Sequence, residues 1–203
     1  ALYLKAIELS PRMLYAYEAL GDLYAKEANL AAAAAQLAEV IKIDPGYLPG
    51  YIKLAEIYRR QGQDGELVLL YRKAVDNGLS FFDAYYYLGN LYVDAKNERA
   101  AIPLYRQAIK INPHSPAACL GLGSAYLTVR RNKEAVLWLS WALKLDPGLA
   151  VAHHNLALAY YYGGQYDLAI KHCDQAASLG YAINPKLIEL LTPHRRQPPL
   201  ATI

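Results

Sequence analysis

The chain has 203 residues, 55% of them apolar, with 21 Lys and Arg against 18 Asp and Glu and a formal net charge of +3. Two of the positive charges, Arg195 and Arg196, sit in the tail TPHRRQPPLATI, so the remainder is close to neutral; this argues against a nucleic-acid binder driven by phosphate neutralisation. No apolar run approaches the ~20 residues that span a bilayer, and the two cysteines, Cys119 and Cys173, make no disulfide framework.

In chain order, the first element is ALYLKAIELSPR, which carries charges where the core of a signal peptide would be apolar. Residues 14–47 then place Tyr17, Leu20 and Tyr24 at i, i+3 and i+7, one face of a helix. A second apolar-periodic helix follows and stops at Asp44-Pro45-Gly46. The same helix-turn-helix recurs over 48–81, 82–115, 116–149 and 150–183, with polar turns such as RQGQDG and YGGQYD between the two helices. Their second helices end at Asn77-Gly78, Asn112-Pro113, Asp146-Pro147-Gly148 and Gly180, glycine being free to take the left-handed conformation past a helix end. Residues 184–192 read as a short helix with Leu187, Leu190 and Leu191 apolar and Pro193 ending it; 193–203 reads as a disordered tail.

The five units share columns 34 residues apart. Leu20, Leu54, Leu88, Leu122 and Leu156 form one, and Tyr24, Tyr58, Tyr92, Tyr126 and Tyr160 another. A small residue follows each leucine (Gly21, Ala55, Gly89, Gly123, Ala157), which predicts close approach of the paired helices. Val40, Ala74, Ala108, Ala142 and Ala176 form a further column, and Ala33, Ala101, Ala135 and Ala169 one that only Leu67 interrupts. Tyrosine, present 19 times against 2 phenylalanines, suits such half-buried surfaces, because its ring packs while its hydroxyl reaches a polar group.

These columns resemble the tetratricopeptide repeat (TPR) family, with its aromatic, Leu-Gly, Tyr, Ala, aromatic, Ala and Pro signature. The departures are Leu79 and Tyr181 in place of the terminal proline, and Pro103 early in a second helix, where a position in the first turn would be tolerated. Residues 1–13 match the last third of a repeat, with Ala6 and Pro11 in column, so an upstream first helix is expected; 184–192 is expected to cap the last repeat. The resemblance implies an all-α fold: a right-handed superhelical α-solenoid of antiparallel helix pairs. It is similar to bacterial TPR proteins of envelope and polysaccharide assembly, which leaves a cytoplasmic or a periplasmic location open.

The resemblance also implies a protein-interaction scaffold without catalysis, its partner held in a concave groove lined by the first helices. The groove residues so implied are Tyr15, Ile52, Lys53, Tyr86, Tyr87, Asn90, Leu120, Leu127, His154, Asn155, Leu158, Tyr161 and Tyr162, beside Glu18, Asp22, Glu56, Arg59, Asp83, Asp94 and Ser124. Its first part is charged and mixed, its last part apolar and aromatic, which points to a peptide or helix of a protein partner. The carboxylate clamp of chaperone-binding TPR domains is not matched, because Glu18 and Asp22, or Ile52 and Glu56, stand where Lys and Asn would be required. An asparagine ladder fails likewise in the column Ala19, Lys53, Tyr87, Gly121, Asn155. The alternative is an adaptor segment of a larger enzyme or secretion or envelope assembly protein whose activity lies upstream. No phosphate loop, nucleophile elbow or paired-Cys zinc spacing occurs, and no cofactor is expected.

One stretch, AVAHHNLALAYYYGGQYDLAIKHCD at 150–174, has the residue types of a metal site. In register it separates. His153 shares the column of Tyr17, Tyr51, Tyr85 and Cys119, and Cys173 that of Leu37, Tyr71, Tyr105 and Leu139, so both are expected in the core and near one another. His154 is expected toward the groove and His172 toward the outer surface, which would leave no converging ligand set for zinc.

Overall fold

A computed structural model describes residues 2–195. Twelve helices are found among them and no strand: α1 (Leu2–Leu9), α2 (Leu14–Lys26), α3 (Leu30–Ile43), α4 (Leu48–Gln61), α5 (Asp64–Asp76), α6 (Phe82–Asp94), α7 (Glu98–Ile111), α8 (Pro116–Thr128), α9 (Asn132–Leu145), α10 (Ala150–Tyr162), α11 (Tyr166–Ser178) and α12 (Pro185–Leu191). A 3-10 turn, Thr192–His194, follows. The chain divides into two compact units, one ending at Leu88 and one beginning at Gly89. Each is a stack of consecutive helix pairs, so the fold is an all-α solenoid.

The turn within each pair has one backbone solution. Ala28, Gly62, Lys96, Arg130 and Gly164 all have positive φ, between 58° and 72°. The amide after each donates to the carbonyl of Tyr24, Tyr58, Tyr92, Tyr126 or Tyr160, at 2.8–3.0 Å. That is a Schellman closure, and it satisfies carbonyls that the helix end would leave bare. Second helices begin with side-chain caps at Asn29 and Asn97, whose Oδ1 accepts from the amides of Ala32 and Ala100. Between pairs, Asp44 and Asp146 accept from the amides of Gly46 and Gly148 at 2.9 Å, so Asp-Pro-Gly is a hydrogen-bonded turn as well as a stop.

In the first unit Ala33, Leu37, Val40, Leu54, Ala55, Leu67 and Ala74 are fully or nearly fully buried. A Cβ on Gly21 would come within 2.9 Å of Leu37, which explains the small residue after the leucine column. Two tyrosines are wholly buried, each with its hydroxyl engaged. Tyr51 donates to the Pro45 carbonyl and accepts from Asn77, while Tyr71 accepts from Arg59. Burial holds the Tyr71 phenol up at about 12.

In the second unit Gly123 packs on Leu139 as Gly21 does on Leu37. Tyr105 lies between two glycines, Gly89 and Gly121, either of whose Cβ would stand 2.8 Å from its ring. Pro103 is the sixth residue of α7, beyond the first turn, so the helix forgoes the amide bond that its nitrogen would have made to Arg99. The ring is exposed and does not disturb the buried side of the helix. At the C-terminal end α12 buries Leu187 and Leu191 against Ala157, Ala169 and Cys173. Past α12, Thr192–His194 forms the 3-10 turn, His194 stacks on Tyr166, and Arg195 pairs bidentately with Asp174. Residues 196–203 of the tail lie outside the described residues.

Candidate functional site

The first helices, α2, α4, α6, α8 and α10, carry the residues that the repeat register assigns to a binding face. In the first unit Tyr15 is 72% exposed and Ile52 is also exposed. Lys53, by contrast, is committed: its ammonium lies 2.9 Å from Glu18 and 2.5 Å from Asp22, and Tyr47 donates to the same Glu18 carboxylate. Arg59 is bound to Asp83 at 2.6 Å, with Glu56 near it at 3.9 Å. Tyr86 stacks on Phe82, and Tyr87 packs against Tyr71. Both cations of this stretch are thus taken up by carboxylates, two to each, so it presents tyrosine, isoleucine and an excess of negative charge.

In the second unit the amide oxygen of Asn90 accepts from the Tyr105 hydroxyl at 2.6 Å, which makes it a support for that ring. Asn155 on α10 donates to Ser124 Oγ on α8 at 2.8 Å and ties the two first helices together. Leu120 is half-buried. Leu127 is only 8% exposed, because α8 is packed by both α9 and α10, and it offers little to a ligand. Leu158 and Tyr161 are half-buried against the cluster that α12 closes, and Tyr162 is 46% exposed. Tyr161 and Tyr162 meet edge to face at 5.7 Å, and the Arg130 guanidinium lies 4.2 Å over the Tyr162 ring. Arg130 was not among the expected residues. Its signal was its place in the turn column, two residues before α9 and one repeat ahead of Gly164.

The histidines differ most from the register. His153 pairs with His172: its Nδ1 lies 2.9 Å from Nδ1 of His172, and Tyr160 stacks on the His172 ring. His172 therefore faces α10 and is not on the outer surface. At about 100° per helical residue it sits on the flank of the stripe formed by Ala169, Cys173 and Ala176, where a long side chain reaches the neighbouring helix. Tyr17 and Tyr51, in the same column as His153, donate to the Pro11 and Pro45 carbonyls, six residues back in each case. Burial lowers the pKa of the His153 imidazole, and the backbone of Pro147, also six residues back, partly offsets this. Burial, then the neighbouring His153 and Lys171, hold the His172 imidazole down at about 4, so the pair is neutral near pH 7 and shares one proton.

His154 turns its ring to Tyr181 at 4.9 Å, and its Nδ1 is buried without a hydrogen-bond partner. Both thiols are buried, and burial raises that of Cys119 to about 11, a range in which a thiol is inert. Among the described residues no group of three or more His, Cys, Asp or Glu could hold a metal ion, and no helix is long and apolar enough to cross a membrane.

Models of the tetratricopeptide repeat family match residues 14–47, 51–80, 82–115 and 150–180, together more than half of the chain. Among curated proteins there is no significant sequence match. Among solved structures, YrrB, described as a TPR protein with an unusual peptide-binding site, is 21% identical with a TM-score of 0.70, over 96% of this chain and 97% of its own. MamA is 24% identical with a TM-score of 0.64, over 85% of this chain and 98% of its own. At these identities the likeness establishes the fold alone.

Proposed function

Because the chain belongs to the tetratricopeptide repeat family, whose solenoids act as protein-interaction scaffolds, we propose that it holds a peptide or helix of a protein partner on the exposed face of its first helices, without catalysis and without a carboxylate clamp. The observation that carries this is the aromatic end of α10. Tyr162 stands nearly half exposed, between Tyr161 and the Arg130 guanidinium. Aromatic and Arg side chains held rigidly at a surface are the residue types that dominate binding energy at interfaces. The basic groups a clamp would need at Lys53 and Arg59 are already neutralised by Glu18, Asp22 and Asp83. A terminal carboxylate would have to displace those internal partners. The anchoring groups are thus apolar and aromatic, and the partner segment is recognised by its large side chains.

The test is affinity capture with the intact chain and with a Tyr162→Ser, Leu120→Ser variant, quantified by mass spectrometry. The expected result is recovery of the captured partner reduced by at least about tenfold, the loss of a single hot spot. Equal recovery by both chains would refute the placement. The absence of a clamp is tested on the identified partner: amidation of its C-terminus leaves binding unchanged, and loss of binding would restore the clamp.

A further inference from the structure

The second helices carry a surface of different chemistry. On α7, Pro103, Arg106, Gln107 and Lys110 recur at i, i+3, i+4 and i+7, on the side opposite the buried Ala101, Tyr105 and Ala108. With Ile109 and Trp138 of α9 they line an open furrow of about 560 Å³. That is within the ~300–1,000 Å³ of side-chain and ligand pockets. Beside it α9 exposes Leu137 at 60% and Trp141 at 39%, with the Lys144 ammonium 4.7 Å over the Trp141 ring. Both tryptophans of the chain are therefore on this one helix.

Charge distinguishes the furrow from the first-unit part of the first-helix face, where Lys53 and Arg59 each have a carboxylate partner. Arg106 and Lys110 form no ion pair with any described residue, and no carboxylate lines the furrow. Two unpaired cations one helical turn apart on one wall, with an indole across from them, make a floor for an apolar side chain and seats for negative charge. A phosphate polymer or lipid surface is held by an extended field of positive charge, and the furrow offers two cations in a chain of net charge +3. A protein segment with carboxylates on either side of a large side chain uses both the floor and the cations. We propose that the furrow between α7 and α9 is a second docking surface, and that its occupant is an acidic segment of a protein partner, with an apolar anchor on Trp138 and carboxylates on Arg106 and Lys110.

The experiment pans a random 12-residue peptide phage library on the intact chain and on a variant carrying R106E and K110E. Both positions are exposed, and a matching far-ultraviolet spectrum and melting curve verify the variant's fold. Clones enriched on the intact chain are expected to combine two or more Asp or Glu with a large apolar residue, and to bind the variant at least about tenfold more weakly. One such peptide, made synthetically, shifts the tryptophan emission of the chain and binds a Tyr162→Ser variant unchanged, which separates this surface from the first-helix face. The proposal is overturned if no clone is enriched, if the clones show no excess of acidic residues, or if they bind both chains equally. It is also overturned if a 20-nucleotide DNA or phosphatidylserine vesicles bind the intact chain, lose binding to the variant, and displace the peptide.

Discussion

The ring of Tyr105 gives the sharpest test of how these repeats pack. An alanine at 121 would place its Cβ 2.8 Å from the Tyr105 ring and 3.2 Å from its hydroxyl oxygen. The ring is held in place: Asn90 accepts from its hydroxyl at 2.6 Å, and it packs so closely on Gly89 that even a methyl group there would stand 2.8 Å from it. Overpacking of this kind costs about 1–3 kcal/mol. Against it stands the helix propensity gained when glycine becomes alanine mid-helix, about 1 kcal/mol. Gly121→Ala should therefore destabilise the chain by about 1 kcal/mol, a fall in Tm of roughly 2–4 °C for a chain of this size. In a Tyr105→Leu background the steric opposition is gone and only the propensity gain remains, so the same substitution should stabilise by about 0.5–1 kcal/mol. The assay is urea unfolding of the four chains of the cycle, followed by emission from Trp138 and Trp141 on the adjacent α9, with midpoints compared at constant slope. A Gly121→Ala chain as stable as the parent, or the same effect in both backgrounds, would refute the account.

Two further predictions follow from backbone and charge. Ala28 and Lys96 hold φ of 58°, a conformation costing an L-residue about 1–2 kcal/mol, so glycine at either site should raise stability by roughly 0.5–1 kcal/mol once its own entropy is counted; a lowered melting temperature would contradict the turn geometry. The His172 imidazole, near 4 when folded against an ordinary value of about 6.5, binds fewer protons in the folded state between those limits. Stability is accordingly level above about pH 6.5 and falls as the pH drops from there to about 4. The unfolding midpoint of a His172→Phe chain, measured across that range, should fall less steeply, and parallel curves would dismiss the histidine pair as the cause.

The sequence by itself determined the period, the helix pairs and most of the core. Leucine, small residue and tyrosine recur at the same places because each repeat meets an almost identical neighbour, and a column with one environment admits one kind of side chain. The glycine turns were legible for the same reason, although Ala28, Lys96 and Arg130 hide three of the five left-handed positions within the helix pairs behind ordinary residues. The tertiary structure alone decided what a column leaves open. Register says that His153 belongs among tyrosines; only the helix azimuth and the reach of the imidazole say that it pairs with His172. Lys53 and Arg59 read as free groove charges until Glu18, Asp22 and Asp83 arrive from adjacent helices, in other repeats, to neutralise them. Leu127 reads as a surface residue until α10 lies beside α8. A repeat pattern encodes the contacts that every unit shares. Pairings made once, by side chains unique to their unit, depend on distances across helices that no single column contains.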